Sequence, residues 1–194
     1  MESKIKDNIE QKLNQTLTED EYERFMKLVE PITVEKKSQL LSHDKVCKYL
    51  YFVESGILHS YLIDDNGESH TIQFGFEGYW ISDLFSFVSN NPALFTIEAL
   101  EETKLLAISK INFEKALNEI PKFERFFRIL LQNAYIQSQL RIAKNYINDA
   151  EHRYLTLIKQ QPDLLQRVPQ YLVASYLGIK PQSLSRIRQN LSKK

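Results

Sequence analysis

The segment Gln170–Gln189, QYLVASYLGIKPQSLSRIRQ, constrains this chain more than any other. Two short helices set at a wide angle around a sharp turn make specific demands on residue type. Ala174 is small where a second helix must approach the first. Gly178, four residues on, supplies the left-handed backbone that a Cβ would penalise. Val173, Leu177, Ile179, Leu184 and Ile187 are apolar at spacings that bury both helices against a core. Pro181 is placed to open the second helix, where its missing N–H costs nothing. The pattern predicts a helix-turn-helix rather than a hairpin of helices closing a bundle.

The side chains left over on the second helix are Gln182, Ser183, Ser185, Arg186, Arg188 and Gln189, with no acid among them. Amide, hydroxyl and guanidinium groups are the ones that read base edges and phosphates. Residues near the start of a recognition helix point into the major groove, which assigns base contact to Gln182, Ser185 and Arg186. Gln182 suits adenine and Arg186 suits guanine, while Lys180, Ser183 and Arg188 are placed to hold phosphates. Charge supports this locally. Lys and Arg number 25 against 25 Asp and Glu, so the whole chain has no basic signature. Yet Leu164 to Lys194 carries no acid and holds Arg167, Lys180, Arg186, Arg188, Lys193 and Lys194, whereas Glu19, Asp20, Glu21 and Glu23 cluster near the start. Such asymmetry suits a C-terminal end that meets a polyanion, against the plainer reading of a solvated tail.

Upstream, Thr18 and Glu21 form a capping box that opens a helix over Glu19–Val29, with Pro31 as its stop. From about Thr33 to Ser109, short β-prone runs alternate with turn signals. The runs are 49–53, 57–63, 70–74, 95–100 and 104–108. Asn66-Gly67 between two of them predicts a hairpin with both residues at positive φ. An antiparallel β-roll or jelly-roll accounts for the set. Helix resumes at Lys110, and Pro121 starts a long helix that runs to about Asn148. Phe123, Phe127, Leu130 and Ala134 are spaced like a coiled-coil seam, followed by Ile136, Leu140, Ala143 and Ile147. Packing on its own domain and pairing with a second copy both fit; pairing is favoured because the roll is small and the helix long. Asp149 caps a further helix through Lys159, ended by Gln161-Pro162-Asp163. The expected fold is α+β, with a roll domain over 1–120, a dimerisation helix over 121–148 and a helix-turn-helix domain over 149–194.

Other classes find little support. Cys47 is the single cysteine, so no internal disulfide or thiolate-held cluster can form. His43, His59, His70 and His152 are scattered singles that read as surface or satisfied side chains rather than haem ligands, and no metal or other cofactor is expected. The first thirty residues are charged throughout and lack a signal-peptide pattern, and no apolar run nears the ~18 residues that span a bilayer. A cytoplasmic protein that does not engage membranes is expected. Phosphate-loop, dinucleotide-fold, zincin and serine-elbow motifs are absent, so an enzyme is not expected. His43 and Cys47 could pair on a helix, but the sequence around Lys45–Val53 reads as strand.

The order of parts resembles the Crp/Fnr family, the cyclic-AMP receptor protein group, from about Thr18 to Leu191. The resemblance rests on Gly56, Gly67 and Gly78, on Ile97-Glu98-Ala99-Leu100-Glu101, and on Leu177-Gly178-Ile179 with Leu184-Ser185-Arg186-Ile187. It implies a homodimer paired through the long helix, a small effector in the roll, and a guanine-reading role for Arg186. The family's cyclic-nucleotide binders carry Gly-Glu-Leu in the phosphate cassette and an arginine about ten residues on. Here the stretch reads Ser82-Asp83-Leu84, and the arginine position falls at Ala93-Leu94, with nothing basic between Gly78 and Leu100. A phosphate buried without a cation is heavily penalised, so cyclic AMP is not the expected effector. The candidate effector pocket comprises Trp80, Ser82, Asp83, Phe95, Thr96, Gln137 and Ser138, for a ligand whose identity is open. Trp80, Phe85, Phe87 and Phe95 can line an apolar pocket or fill the roll, and filling is favoured. The family's β-hairpin wing after the recognition helix has no counterpart in Ser192-Lys193-Lys194, which implies fewer phosphate contacts and a flatter salt dependence. The expected function is sequence-specific DNA binding in transcription regulation. The alternative is an effector-binding or protein-interaction module of the same architecture that has lost productive DNA binding.

Overall fold

The computed structural model describes residues 4–192. It opens with α1 (Lys4–Leu13), a helix the sequence reading does not assign because charge dominates the segment. The signal that reveals it is the recurrence of Ile5, Ile9 and Leu13 every four residues, which stacks them on one face; all are buried. Next comes α2 (Glu19–Met26) with the expected capping box. Thr18 Oγ1 accepts the Glu21 N–H at 3.2 Å, and Glu21 Oε2 accepts the Thr18 N–H at 2.8 Å. Burial pushes the Glu21 carboxyl up, but Lys122 at 2.7 Å and the Thr18 donors outweigh it and hold the group below its usual value.

The β region comprises β1 (Val29–Val34), β2 (Gln39–Leu41), β3 (Tyr49–Ser55), β4 (Leu58–Ile63), β5 (Ser69–Gly75) and β6 (Trp80–Ile81). A short helix α3 (Leu84–Ser89) precedes β7 (Thr96–Ala99) and β8 (Thr103–Ser109). The sheets run β1-β8-β3-β6 and β2-β7-β4-β5, an antiparallel β-roll as expected. The expected runs correspond to β3, β4, β5, β7 and β8, while β1, β2, β6 and α3 are additions. Pro31 does not stop α2. It sits within β1, opposite Leu106, and β1 is an edge strand where a residue without an N–H is tolerated.

The β4–β5 turn also departs from expectation. Gly67 has φ 81°, but Asn66 is not among the positive-φ residues, so the turn is not built from two left-handed residues. Gly67 N–H donates to the Asp64 carbonyl at 2.9 Å, and Asp64 N–H donates to Glu68 O at 3.0 Å. Asp64 Oδ1 accepts the N–H groups of Asn66 and Glu68, each at 2.9 Å. The side chain of Asp64, with its carboxyl held low chiefly by its hydrogen bond to His70, thus organises the turn.

Helices complete the chain: α4 (Lys110–Glu119), α5 (Pro121–Ile147), α6 (Ala150–Gln160), α7 (Leu164–Arg167), α8 (Gln170–Tyr176) and α9 (Pro181–Leu191). Contacts divide the described residues into two units, one reaching Ser60 and resuming over Phe74–Tyr135, the other comprising Tyr61–Gln73 and everything from Ile136. In the first unit, Phe123 of α5 stacks on Phe25 with centroids 4.0 Å apart. Trp80 packs against Phe52, Phe126 and Phe127 at 5.3, 5.8 and 5.4 Å. Trp80 Nε1 donates to Asn8 Oδ1 at 3.2 Å, and Asn8 Nδ2 donates to the Gly78 carbonyl at 2.9 Å, which stitches α1 to the roll. The seam expected along α5 therefore begins inside its own core. Phe123 and Phe127 are buried there, Leu130 is half-buried and Ala134 is exposed.

If α1 is part of the core rather than an appendage, Ile9→Ala should cost about 2–5 kcal/mol in urea unfolding. A change within ~0.5 kcal/mol, the range of surface substitutions, would place α1 outside the cooperative unit.

Candidate nucleic-acid interface

In the second unit, Tyr154 and Leu157 of α6, Leu164, Val168, and Leu172, Val173 and Ala174 of α8 are buried together with Leu177 and Leu184. Ala174 is fully buried, as its small side chain requires. The turn after α8 is a Schellman motif: Gly178 N–H donates to Ser175 O at 2.9 Å and Ile179 N–H donates to Ala174 O at 3.0 Å. Gly178 takes φ 66° with open space where a Cβ would stand, so backbone strain alone demands glycine here. Pro181 is the first residue of α9.

On α9, Leu184 is buried and Ile187 and Leu191 are half-buried, which turns the opposite face outward. Gln182, Ser185, Arg186 and Gln189 form one exposed stripe at helical spacing, and Lys180 is exposed just before the helix. Ser183 and Arg188, expected with the exposed set, are half-buried at its margin. Lys193 and Lys194, expected in the same basic segment, lie outside the described residues. A stripe of amide, hydroxyl and guanidinium groups with no carboxylate between residues 164 and 192 can meet a polyanion without desolvating an opposing charge.

Three supports of this motif are not among the sequence expectations. Arg153 of α6 donates from Nη2 to the Leu177 carbonyl at 3.0 Å and from Nη1 to the Asn148 carbonyl at 2.8 Å. A cation on the last carbonyls of α8 is the partner a helix C-terminus favours, and an arginine in the preceding helix was the available signal. Ser175 Oγ accepts the Thr71 N–H at 2.9 Å and donates to the Ser69 carbonyl at 3.2 Å, so a serine of α8 completes the edge of β5. Arg141 donates to the Ile72 carbonyl and lies over the Tyr176 ring. Nothing in the local sequence marks these long-range bonds.

The residues singled out as an effector pocket are placed as follows. Trp80 is in the aromatic core described above, and Phe87 is buried too, while Phe85 is exposed and Phe95 half-buried. Ser82 Oγ donates to the Tyr49 carbonyl at 3.0 Å. Thr96 is buried and its Oγ1 accepts the His43 N–H at 3.2 Å. Asp83 is fully buried and bonded to backbone N–H groups of its own loop. Gln137 and Ser138 are exposed on α5, in the other unit. Cys47 is buried, with Sγ 3.3 Å from the Tyr49 carbonyl and from Ser82 Oγ. His59 lies buried 3.7 Å from Glu98, and burial, opposed by that carboxylate, pushes its pKa below the usual histidine value.

An antiparallel roll, a long helix and a C-terminal helix-turn-helix follow one another along the chain. Residues 31–119 match the family model of the cyclic nucleotide-binding domain. Over most of its length the chain has the fold of solved Crp/Fnr regulators, with that domain followed by helices of the helix-turn-helix kind. It is similar to the c-di-GMP-responsive global regulator CLP of Xanthomonas campestris, with TM-score 0.70 and 13% identity over 91% of this chain and 92% of that one. A Crp/Fnr-family regulator from Eubacterium rectale gives TM-score 0.70 and 15% identity, covering 91% of this chain and 84% of that one. The catabolite activator protein of Thermus thermophilus gives 0.60 and 16%, covering 94% and 87%. No curated protein sequence matches the chain. Among the described residues, no helix is long and apolar enough to cross a membrane.

Because only backbone strain demands glycine at 178, Gly178→Ala should destabilise the second unit by about 1–2 kcal/mol. Hydrogen exchange across α8 and α9 should rise accordingly, with the roll unchanged. Equal protection in both forms would mean that the turn is not held in its left-handed form.

Proposed function

We propose that this chain is a sequence-specific DNA-binding transcription regulator of the Crp/Fnr type, acting as a homodimer and not responding to cyclic AMP. The observation that carries the reading is the acid-free stripe Gln182–Ser185–Arg186–Gln189, held outward on α9 by the glycine turn. Gln182, Ser185 and Arg186 contact base edges, and Lys180, Ser183 and Arg188 hold flanking phosphates. The chemistry needed is positioning and charge, with no catalytic group and no cofactor.

The second support is the bare half of α5. From Leu131 to Ile147 every residue whose side chain is described is exposed. Two stripes run along this stretch, Leu131, Tyr135, Ile142 and Tyr146 in one and Ile136, Leu140 and Ile147 in the other. At about 100° per residue they cover roughly half the helix circumference, and Tyr146 is 88% and Ile147 79% exposed. So wide an apolar surface on a single helix calls for a partner. A second copy supplies an identical stripe and, by symmetry, a second α9 for the other half of a pseudo-palindromic site. Cyclic AMP is not the effector in this reading, since no Lys, Arg or His lies between Gly78 and Leu100 to meet its phosphate.

Two measurements check this. Arg186→Ala should weaken binding to a selected operator by about 1–3 kcal/mol and relax preference at the guanine it reads, whereas Lys180→Ala should weaken all sequences alike and flatten the salt slope by about one. Binding indifferent to both changes would favour an interaction module with the same architecture. Separately, the double substitution Leu140→Glu and Ile147→Glu should turn a dimer into a monomer in sedimentation while leaving unfolding of the roll unchanged. A monomeric parent protein at tens of micromolar would remove the dimer from the proposal.

A further inference from the structure

Among the described residues, Asp83 is the one buried carboxylate, with none of its surface exposed. Its Oδ1 accepts the Ser86 N–H at 2.9 Å, and its Oδ2 accepts the N–H groups of Leu94 at 2.8 Å and Phe95 at 3.0 Å. One side chain therefore closes a loop between positions eleven and twelve residues apart. Two successive backbone N–H groups converging on one oxygen form the kind of concavity that binds small anions. The rest of the stretch is tied just as firmly to protein. Ser86 Oγ donates to the Asn91 carbonyl at 2.6 Å and accepts the Cys47 N–H at 2.8 Å. Ala93 exchanges backbone bonds with Asp44 and Lys45 at 3.1 and 2.9 Å. Lys110, the basic side chain bonded to this stretch, reaches only the Val88 carbonyl and Asn90 Oδ1, each at 2.9 Å. No ion pair among the described residues includes Asp83.

We propose that Asp83 is a resident anion: its carboxylate occupies the Leu94–Phe95 amide cradle, so that the loop from 83 to 95 is held in one form without any small anion bound. A buried charge with no cation is maintained only if several donors converge on it, and here the backbone supplies them. The cradle cannot then serve a phosphate or carboxylate ligand, because its donors are spent and a second negative charge would face the first. Regulation through this loop, if the regulator reading holds, answers to no anionic effector. The cradle itself stands independently of that reading.

Chemical rescue tests it. Asp83→Gly removes the carboxylate and leaves its space, and should lower the melting temperature by roughly 5–10 °C. Formate, the smallest carboxylate, should restore at least about half of that loss at ~0.1 M, relative to chloride at equal ionic strength, because charge screening is then matched. The parent protein should gain nothing from formate, inorganic phosphate or cyclic AMP over chloride. Should Asp83→Gly fail to fold, Asp83→Asn keeps the shape but loses the charge and one acceptor, and amide exchange over residues 84–95 should rise at least about tenfold. Formate acting no better than chloride, unchanged exchange in Asp83→Asn, or stabilisation of the parent by phosphate or cyclic AMP would each overturn the assignment. None of these readouts involves DNA, so their failure is distinct from a failure to bind it. Operator binding by the parent protein in anion-free buffer apart from chloride reads the regulatory consequence.

Discussion

Stacking of Phe123 on Phe25 and the packing of Trp80 among Phe52, Phe126 and Phe127 tie the first turns of α5 into the core of the roll. Aromatic rings of this size bury more apolar surface than any other side chains, and tilted or edge contacts give them defined geometry. The anchor is confined to the start of the helix, and from Leu131 to Ile147 every side chain that is described is exposed. In proteins most of a helix's stability comes from packing of its apolar face rather than from propensity. The exposed rows of Leu, Ile and Tyr beyond Leu130 are where that packing has to come from, and the proposed pairing of copies follows from this one division of the helix.

The roll shows the same economy in its polar groups. Ser82, Asp83, Ser86 and Thr96 could each have faced a ligand, yet each has a hydrogen-bond partner on the backbone of the roll. The side chains of Trp80 and Phe87 are buried in the roll, while Phe85 is exposed. Side chains bonded in this way to backbone groups are held in place by the roll itself.

Some of this architecture is legible residue by residue and some is not. The capping box at Thr18 and Glu21, the helix start at Pro121, the cap at Asp149 and the turn at Gly178 are local devices, and the chain uses each as written. Pro31 and Asn66 mislead for a common reason. A proline that ends a helix in isolation is equally at home on an edge strand, and a turn that could use two left-handed residues can instead be organised by the carboxylate of Asp64. Charge masks the first helix, whose local signal is the recurrence of Ile5, Ile9 and Leu13.

What the sequence determined alone is the set of elements with a strict local requirement: the left-handed glycine, the acid-free polar face of the last helix and the absence of a cation between Gly78 and Leu100. These hold in any environment, since they depend on backbone sterics and on which charges exist. Tertiary structure decided the rest. It chose which half of α5 is buried, brought Arg153 to the end of α8, and aimed the Asp83 carboxylate at amides eleven and twelve residues away. Contacts between distant positions carry no local signature, because their energy comes from desolvation and geometry that exist only once the chain has folded.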